Sequence, residues 1–134
     1  MEFKDKQSIY LQIADHICEQ ILLDIWPPGE RIPSVRDMAG NMAVNPNTVM
    51  RTYEFLQSKD IIFNKRGIGY SASEEAQRLI LAYRRERFLE SELPEFFKNM
   101  YLLEVNMDEL KQHYQSFIQK NYSDSNPQDH EKEQ

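Results

Sequence analysis

Asn47, Met50, Arg51, Glu54 and Ser58 recur at three- and four-residue steps, while Val49, Tyr53 and Leu56 recur between them. A helix through this segment therefore buries the second set and turns the first outward. Asparagine carries a donor and an acceptor side by side, and arginine a planar fork of donors; both suit the hydrogen-bonding edges of nucleobases. A few residues on, Lys65-Arg66-Gly67 puts two adjacent cations beside a glycine. Such a cluster suits a phosphate, and Gly67 and Gly69 allow the backbone to lie close to one or to slip into a minor groove.

The elements that must hold these groups are short and sharply punctuated. Ser34 is placed to cap a helix carrying Val35, Met38, Ala39 and Met42 on one apolar stripe. Asn45-Pro46 starts the next, because asparagine caps well and proline at the first helical position loses no useful N–H. That helix should run to about Lys59. Ile61-Ile62-Phe63 then reads as a strand, Asn64 to Gly67 as a turn, and Ile68-Gly69-Tyr70 as the returning strand. Two helices closed by a turn and followed by a hairpin make a helix-turn-helix with a wing, in which the N-terminal residues of the second helix reach base edges. Upstream, Ser8 can cap a scaffold helix of about residues 9–25 bearing Tyr10, Ile13, Ile17 and Ile21. Trp26-Pro27-Pro28-Gly29 should end it, and Gly29 to Pro33 can form a short strand.

A helical regime follows, capped by Ser71 or Ser73, with Glu74 at capping-box distance from Ser71. Ala76, Leu79, Ile80 and Tyr83 form one stripe. Leu89, Leu93, Phe96, Phe97, Met100 and Leu103 continue it across Pro94, which must either kink one helix or divide it in two. The last helix starts at Asn106, with Glu109 at its third position, and turns Met107, Leu110, Tyr114, Phe117 and Ile118 inward. Two thin helices cannot bury that much apolar surface alone. A second subunit solves the problem, so Leu93, Phe96, Phe97, Met100 and Leu103 are assigned to a homodimer interface, and twofold symmetry offers two reading helices to a palindromic double-stranded DNA operator. The Arg84-Arg85-Glu86-Arg87 run reads as a solvated, i,i+4-paired face rather than a second phosphate patch. Beyond Tyr122 the chain is polar and aperiodic and is expected to be mobile. The expected organisation is a winged helix over 1–72, a helical dimerisation extension over 73–121 and a polar tail over 122–134; the fold class is mainly α with a small β-wing.

Composition bounds the remaining possibilities. With 134 residues and 40% hydrophobic content the chain supports one modest core plus an extension. Its net charge of −6 is unusual for a nucleic-acid binder, but the acid is unevenly placed. Residues 28–70 hold six Lys+Arg against four Asp+Glu, and residues 71–134 eight against thirteen. A local basic face is compatible with acidity elsewhere. No apolar run is long enough to span a membrane, and the start lacks the order of a secretion signal, so a cytoplasmic protein is expected. The single Cys18 falls within a helical apolar pattern and reads as a core residue. His16, His113 and His130 are too scattered for a metal site. No nucleophile motif, Walker loop or dinucleotide fingerprint is present, so neither a cofactor nor an enzyme is implied.

The run PGERIPSVRDMA, with VNPNTV, YEFLQSKDII and RGIGY in order after it, resembles the GntR family of bacterial transcription regulators over roughly residues 8–70. The short extension with Leu93-Pro94-Glu95 is similar to the YtrA-type branch. That resemblance implies a small homodimeric repressor, often encoded beside membrane-transporter operons. It also implies DNA contacts from Ser34 and Arg36 of the P-S-x-R element, from Asn45, Asn47, Thr48 and Arg51 on the reading helix, and from Lys65, Arg66 and Gly67 on the wing. Arginine can grip guanine O6 and N7, asparagine can do likewise with adenine, and threonine can bind phosphate or touch a thymine methyl. Asp60 stands where the family usually has glycine, and Ser8 where proline is common; Asp60 would have to end the reading helix in a left-handed turn at some strain. Neither an operator sequence nor an effector ligand is legible. The competing reading, a winged helix used only for protein contacts, draws its support from the overall acidity.

Overall fold

Three helices share one core because their apolar residues are spaced to meet there. In the computed structural model, which describes residues 7–122, α1 (Ile9–Leu22) buries Ile13, Ala14, Ile17, Cys18 and Ile21. α2 (Val35–Met42) adds Met38 and Ala39, and α3 (Pro46–Ser58) adds Val49, Thr52, Tyr53 and Leu56. An antiparallel hairpin of β1 (Ile62–Lys65) and β2 (Gly69–Ala72) closes the module, with Ile62 opposite Ala72 and Lys65 opposite Gly69. Its strands run further than the sequence suggested: Asn64 and Lys65 are laddered, and only Arg66, Gly67 and Ile68 form the loop. The expected strand over Gly29 to Pro33 reduces to a bridge between Arg31 and Ser71, plus amide bonds from Gly29 to the Ala72 carbonyl and from Ile32 to that of Tyr70. Pro33 has no N–H, so the ladder stops there.

Four helix ends share one solution. Asp24, Ala43, Asp60 and Glu104 have φ of 64°, 56°, 63° and 59°, the left-handed region usually given to glycine. In each, the amide of the following residue reaches back to a carbonyl five residues earlier: Ile25 to Gln20, Val44 to Ala39, Ile61 to Leu56 and Val105 to Met100. These are Schellman caps, and in every one the residue after the left-handed position is a β-branched apolar side chain. The apolar residue, not a glycine, marks the stop. This explains why α1 ends at Leu22 rather than near residue 25, and it gives Asp60 the left-handed turn expected of it.

α4 (Ala76–Arg87) buries Ala76 and Ile80 in the same core, with Leu79 packed beside them. Gln77 Nε2 donates to the Ile21 carbonyl at 3.1 Å. The compact unit therefore continues past the hairpin to Glu86, and a second unit begins at Arg87. Neither serine caps α4 with its side chain. Ser71 lies in β2 opposite Phe63, and the Ser73 hydroxyl donates to the Asp60 carbonyl at 2.8 Å, tying the end of α3 to the exit from the hairpin. Ser8 likewise makes no side-chain cap; its carbonyl alone accepts the amides of Leu11 and Gln12. Arg84 pairs with Asp15 of α1 at 3.9 Å, across elements rather than along its own helix.

In the second unit, Pro94 neither breaks the helix nor leaves it regular. Residues Phe88–Glu92 form a π turn in which the Leu93 amide donates to the Phe88 carbonyl, and α5 (Leu93–Leu102) follows with the proline in its first turn. Widening the helix before the proline relieves the clash between its ring and the preceding turn. Asn106 caps α6 (Met107–Asn121) by accepting the Glu109 amide at 2.8 Å, as its sequence indicated. The expected inward stripe of α6 is corrected: Met107, Tyr114 and Phe117 are exposed, and no residue of the π turn, α5 or α6 is buried. The tail beyond Tyr122, expected to be mobile, lies outside the described residues.

Ala43 has no side-chain hydrogen bond to offset its left-handed backbone. Ala43→Gly should therefore stabilise the protein by about 0.5–1 kcal/mol, the steric relief outweighing glycine's greater unfolded-state entropy. Urea denaturation should show a higher midpoint at unchanged slope; a lower midpoint would contradict this account of the turn.

Candidate nucleic-acid interface

The start of α3 is set by its own side chains. Asn45 Oδ1 accepts the Asn47 amide at 2.7 Å, and Pro46 occupies the first turn. Asn45 is thus committed as a cap, and a two-bond grip on adenine would cost it that bond. Asn47, Met50, Arg51, Glu54 and Ser58 all face outward, as their spacing predicts. Ser58 is occupied, its hydroxyl donating to the Phe55 carbonyl at 2.6 Å. The Asn47 side chain makes no hydrogen bond among the described residues. Among the described residues Arg51 pairs with no acid, Glu54 included; its guanidinium lies 4.0 Å from the Tyr10 ring centroid. Asn47, Thr48 and Arg51 line, with Ser8, Ile9 and Tyr10, a hollow of about 350 Å³ between the starts of α1 and α3.

Two adjacent buried hydroxyls fix this helix in place. Thr52 Oγ1 donates to the Tyr10 carbonyl of α1 at 2.7 Å and also lies 3.2 Å from the Thr48 carbonyl. Tyr53 donates its hydroxyl to the Pro33 carbonyl at 2.6 Å, just before α2, and packs edge-on against Tyr70 of β2 at 4.8 Å. Burial pushes the Tyr53 phenol well above its ordinary range, with smaller contributions from Tyr70 and Asp37. Thr52 was missed in the sequence because a threonine among outward-facing polar residues looks solvated. Its place between Val49 and Leu56, beside Tyr53, is the signal that could have found it.

Ser34 Oγ accepts the Asp37 amide at 3.0 Å, so this candidate is engaged in starting α2. Arg36 projects from the first turn, exposed and unpaired among the described residues. On the wing, the Ile68 amide donates to the Lys65 carbonyl at 2.8 Å with Gly67 at φ 80°, a turn that requires glycine at its third position. Lys65 and Arg66 are exposed on either side of the turn's start. A third cation, not singled out in the sequence, joins them: Arg31 Nε lies where a Cβ on Gly69 would approach to 3.2 Å. Gly69, at φ 119°, leaves room for the arginine to approach the wing backbone closely.

The second unit gathers the other candidates. Leu93 and Phe96 line a hollow of about 520 Å³ with Phe88, Met107, Leu110 and Tyr114, among others. Met100 and Leu103 line a smaller one with Phe96, Val105 and Leu110. Phe97 lies beside Phe96, the ring centroids 6.5 Å apart, and lines neither. Among the described residues no group of His, Cys, Asp and Glu is placed to hold a metal ion, and no helix is long and apolar enough to cross a membrane.

Residues 9–71 match the family described as bacterial regulatory proteins, gntR family. The chain is 33% identical over 118 residues to the uncharacterized helix-turn-helix-type transcriptional regulator YhcF of Bacillus subtilis, covering 88% of this chain and 96% of that one. It is 37% identical over 78 residues to the helix-turn-helix-type transcriptional repressor YtrA of the same organism, 58% of this chain and 60% of that one. A crystal structure of a putative transcriptional regulator of the GntR family from Bacteroides thetaiotaomicron is similar at 48% identity and a TM-score of 0.65, over 84% of this chain and 98% of that one.

Tyr53→Phe keeps the ring and deletes the hydroxyl that holds the approach to α2, and it should destabilise the fold by about 1–2 kcal/mol near neutral pH. The raised phenol adds a pH signature. The unfolded chain loses this proton near pH 10.0 while the native form retains it, so the group's contribution is complete below pH 10 and declines above it. The stability gap between wild type and Tyr53→Phe should narrow above pH 10 in denaturant titrations; a gap that is absent at neutral pH, or that widens in alkali, would contradict the assignment.

Proposed function

The chain belongs to the GntR family of bacterial regulatory proteins, as a helix-turn-helix-type transcriptional regulator rather than an enzyme, and from that premise we propose that it is a homodimeric repressor reading a palindromic operator. The observation that carries this reading is the outward face of α3, where Asn47 and Arg51 hold hydrogen-bonding groups that no described acid or amide engages. Side chains at the start of a second helix are those that reach base edges in the major groove. Arg36 adds a cation from α2, and Lys65, Arg66 and Arg31 supply the wing with charges for phosphate, which position the protein without reading sequence. Ser34, Asn45 and Gly67 act indirectly, through the caps and turn that aim these groups. Thr48, half-buried in the hollow, is left for phosphate or a thymine methyl.

The homodimer is supported by the second unit. Phe96, Phe97, Leu103, Met107, Tyr114 and Phe117 are each at least 44% exposed, and no residue of α5 or α6 is fully buried among the described residues. A second copy would cover this surface by a self-complementary contact and place two reading helices on half-sites about 34–36 Å apart, or a multiple of that. Repression then follows from steric occlusion of promoter DNA by the bound dimer. The relative YtrA is described as a repressor, which agrees with this direction of control. The YtrA-type resemblance points to a membrane-transport operon as the regulated locus, and sequencing genomic DNA retained by the purified protein tests that.

Two outcomes are expected. Replacing Lys65 and Arg66 together by alanine should weaken binding to an enriched operator duplex and to a scrambled duplex alike. It should also make the slope of log affinity against log salt shallower by about 0.9 per lost phosphate contact. An unchanged slope would remove the wing from the backbone. Phe97→Glu with Leu103→Glu, both at exposed sites, should convert a sedimenting dimer to a monomer and cost most of the operator affinity, because two half-site contacts are no longer linked. A wild-type chain that sediments as a monomer at micromolar concentration, or a monomeric variant with full affinity, would overturn the dimer.

A further inference from the structure

We propose that Tyr10, on the scaffold helix α1, is a positioning residue for sequence readout: its ring is the platform that holds the Arg51 guanidinium in the plane and direction needed to grip a base. This rests on the operator-reading function above and adds to it a residue outside the helix-turn-helix and the wing. The central contact is geometric. The Arg51 guanidinium carbon lies 4.0 Å from the Tyr10 ring centroid, well inside the range of a cation–π contact. A guanidinium stacked on a ring keeps all its N–H donors in its own plane. Those of Arg51 meet no acceptor among the described residues, so the whole fork stays available to a guanine edge.

Tyr10 can do this because it is itself held at two points, its ring by Phe55 and its backbone by Thr52. The ring of Phe55, one helical turn beyond Arg51 on α3, meets the Tyr10 ring edge-on at 6.0 Å. Tyr83 of α4 meets Phe55 at 5.8 Å, and the Lys59 ammonium lies over both of those rings. The Tyr10 backbone is pinned by Thr52, the residue next to Arg51, through the 2.7 Å bond to its carbonyl. Arg51 and Phe55 thus sit at i and i+4 with the Tyr10 ring against both. A long, flexible arginine on an exposed helix face would otherwise sample many rotamers and lose that freedom on binding; a platform that limits it beforehand raises affinity for the base it faces. Because the benefit lies in orientation, it should appear on sequence-specific DNA and be nearly absent on random DNA.

The test is a double-mutant cycle on the full chain, with a duplex enriched by the wild-type protein from a random-sequence pool and a scrambled duplex of the same composition as probes. Tyr10→Phe retains the ring and should bind the enriched duplex within twofold of wild type. Tyr10→Leu should lose about three- to tenfold on the enriched duplex and less than twofold on the scrambled one, a size in keeping with one cation–π contact. Placed in an Arg51→Ala background, Tyr10→Leu should cost nothing further. Thermal melting of each variant establishes that the fold survives, and should Tyr10→Leu unfold, Tyr10→Met takes its place in the cycle. An undiminished affinity for the leucine variant, or an equal loss in the Arg51→Ala background, would overturn the inference, the second result meaning that the ring touches DNA or shapes the fold by itself. Failure of the wild-type protein to enrich any sequence would instead defeat the operator-reading function on which this inference stands.

Discussion

Thr52 and Tyr53 occupy the buried side of the reading helix, and each uses a hydroxyl to reach a backbone carbonyl on a different neighbour, Thr52 to Tyr10 on α1 and Tyr53 to Pro33 ahead of α2. Apolar packing against Val49 and Leu56 is non-directional and would let α3 slide or rotate by part of a turn. Two directed bonds from consecutive residues remove that freedom, since a hydrogen bond tolerates little angular error and an unmade one in the interior is costly. Everything on the outer side depends on this constraint. The direction of Arg51 and Asn47 follows from the rotation of α3, and the position of Arg36 follows from where the chain leaves Pro33.

The same economy of means holds at the helix ends. The chain has only four glycines and uses Gly29, Gly67 and Gly69 at positive φ in turns and on the wing, where a side chain would be strained or would displace Arg31. The helix stops fall to Asp24, Ala43, Asp60 and Glu104, each followed by a β-branched apolar residue. Two of these, Ala43 and Asp60, bound the reading helix and its predecessor. The strain stored there sits next to the surface that the fold is built to present.

How far the sequence carried the reading depended on whether a signal was local. The caps at Ser34, Asn45 and Asn106 were legible because the capping residue and the amide that donates to it lie within three positions of each other, and the structure places them as read. The outward set on α3 was legible from periodicity. What escaped required contacts between distant segments: Thr52 with α1, Arg31 against the wing, Arg51 on Tyr10, and Ser73 turned from a supposed cap to the Asp60 carbonyl. α6 shows the opposite error. Its stripe has the right spacing for burial, but periodicity says only that a face is apolar, not that the same chain covers it.

Acid and base are also separated along the chain, so a protein of net charge −6 carries Arg31, Arg36, Arg51, Lys65 and Arg66 within the winged-helix segment. Whether that segment touches DNA through the face described can be seen directly by following backbone amide and arginine Nε–H resonances as an enriched operator duplex is added to labelled protein. The account predicts that the largest shifts fall on Arg36, Asn47, Arg51 and the wing at Lys65 to Gly67, with Leu93 to Leu103 nearly unmoved. Shifts confined to residues 93–118, with α3 silent, would contradict it.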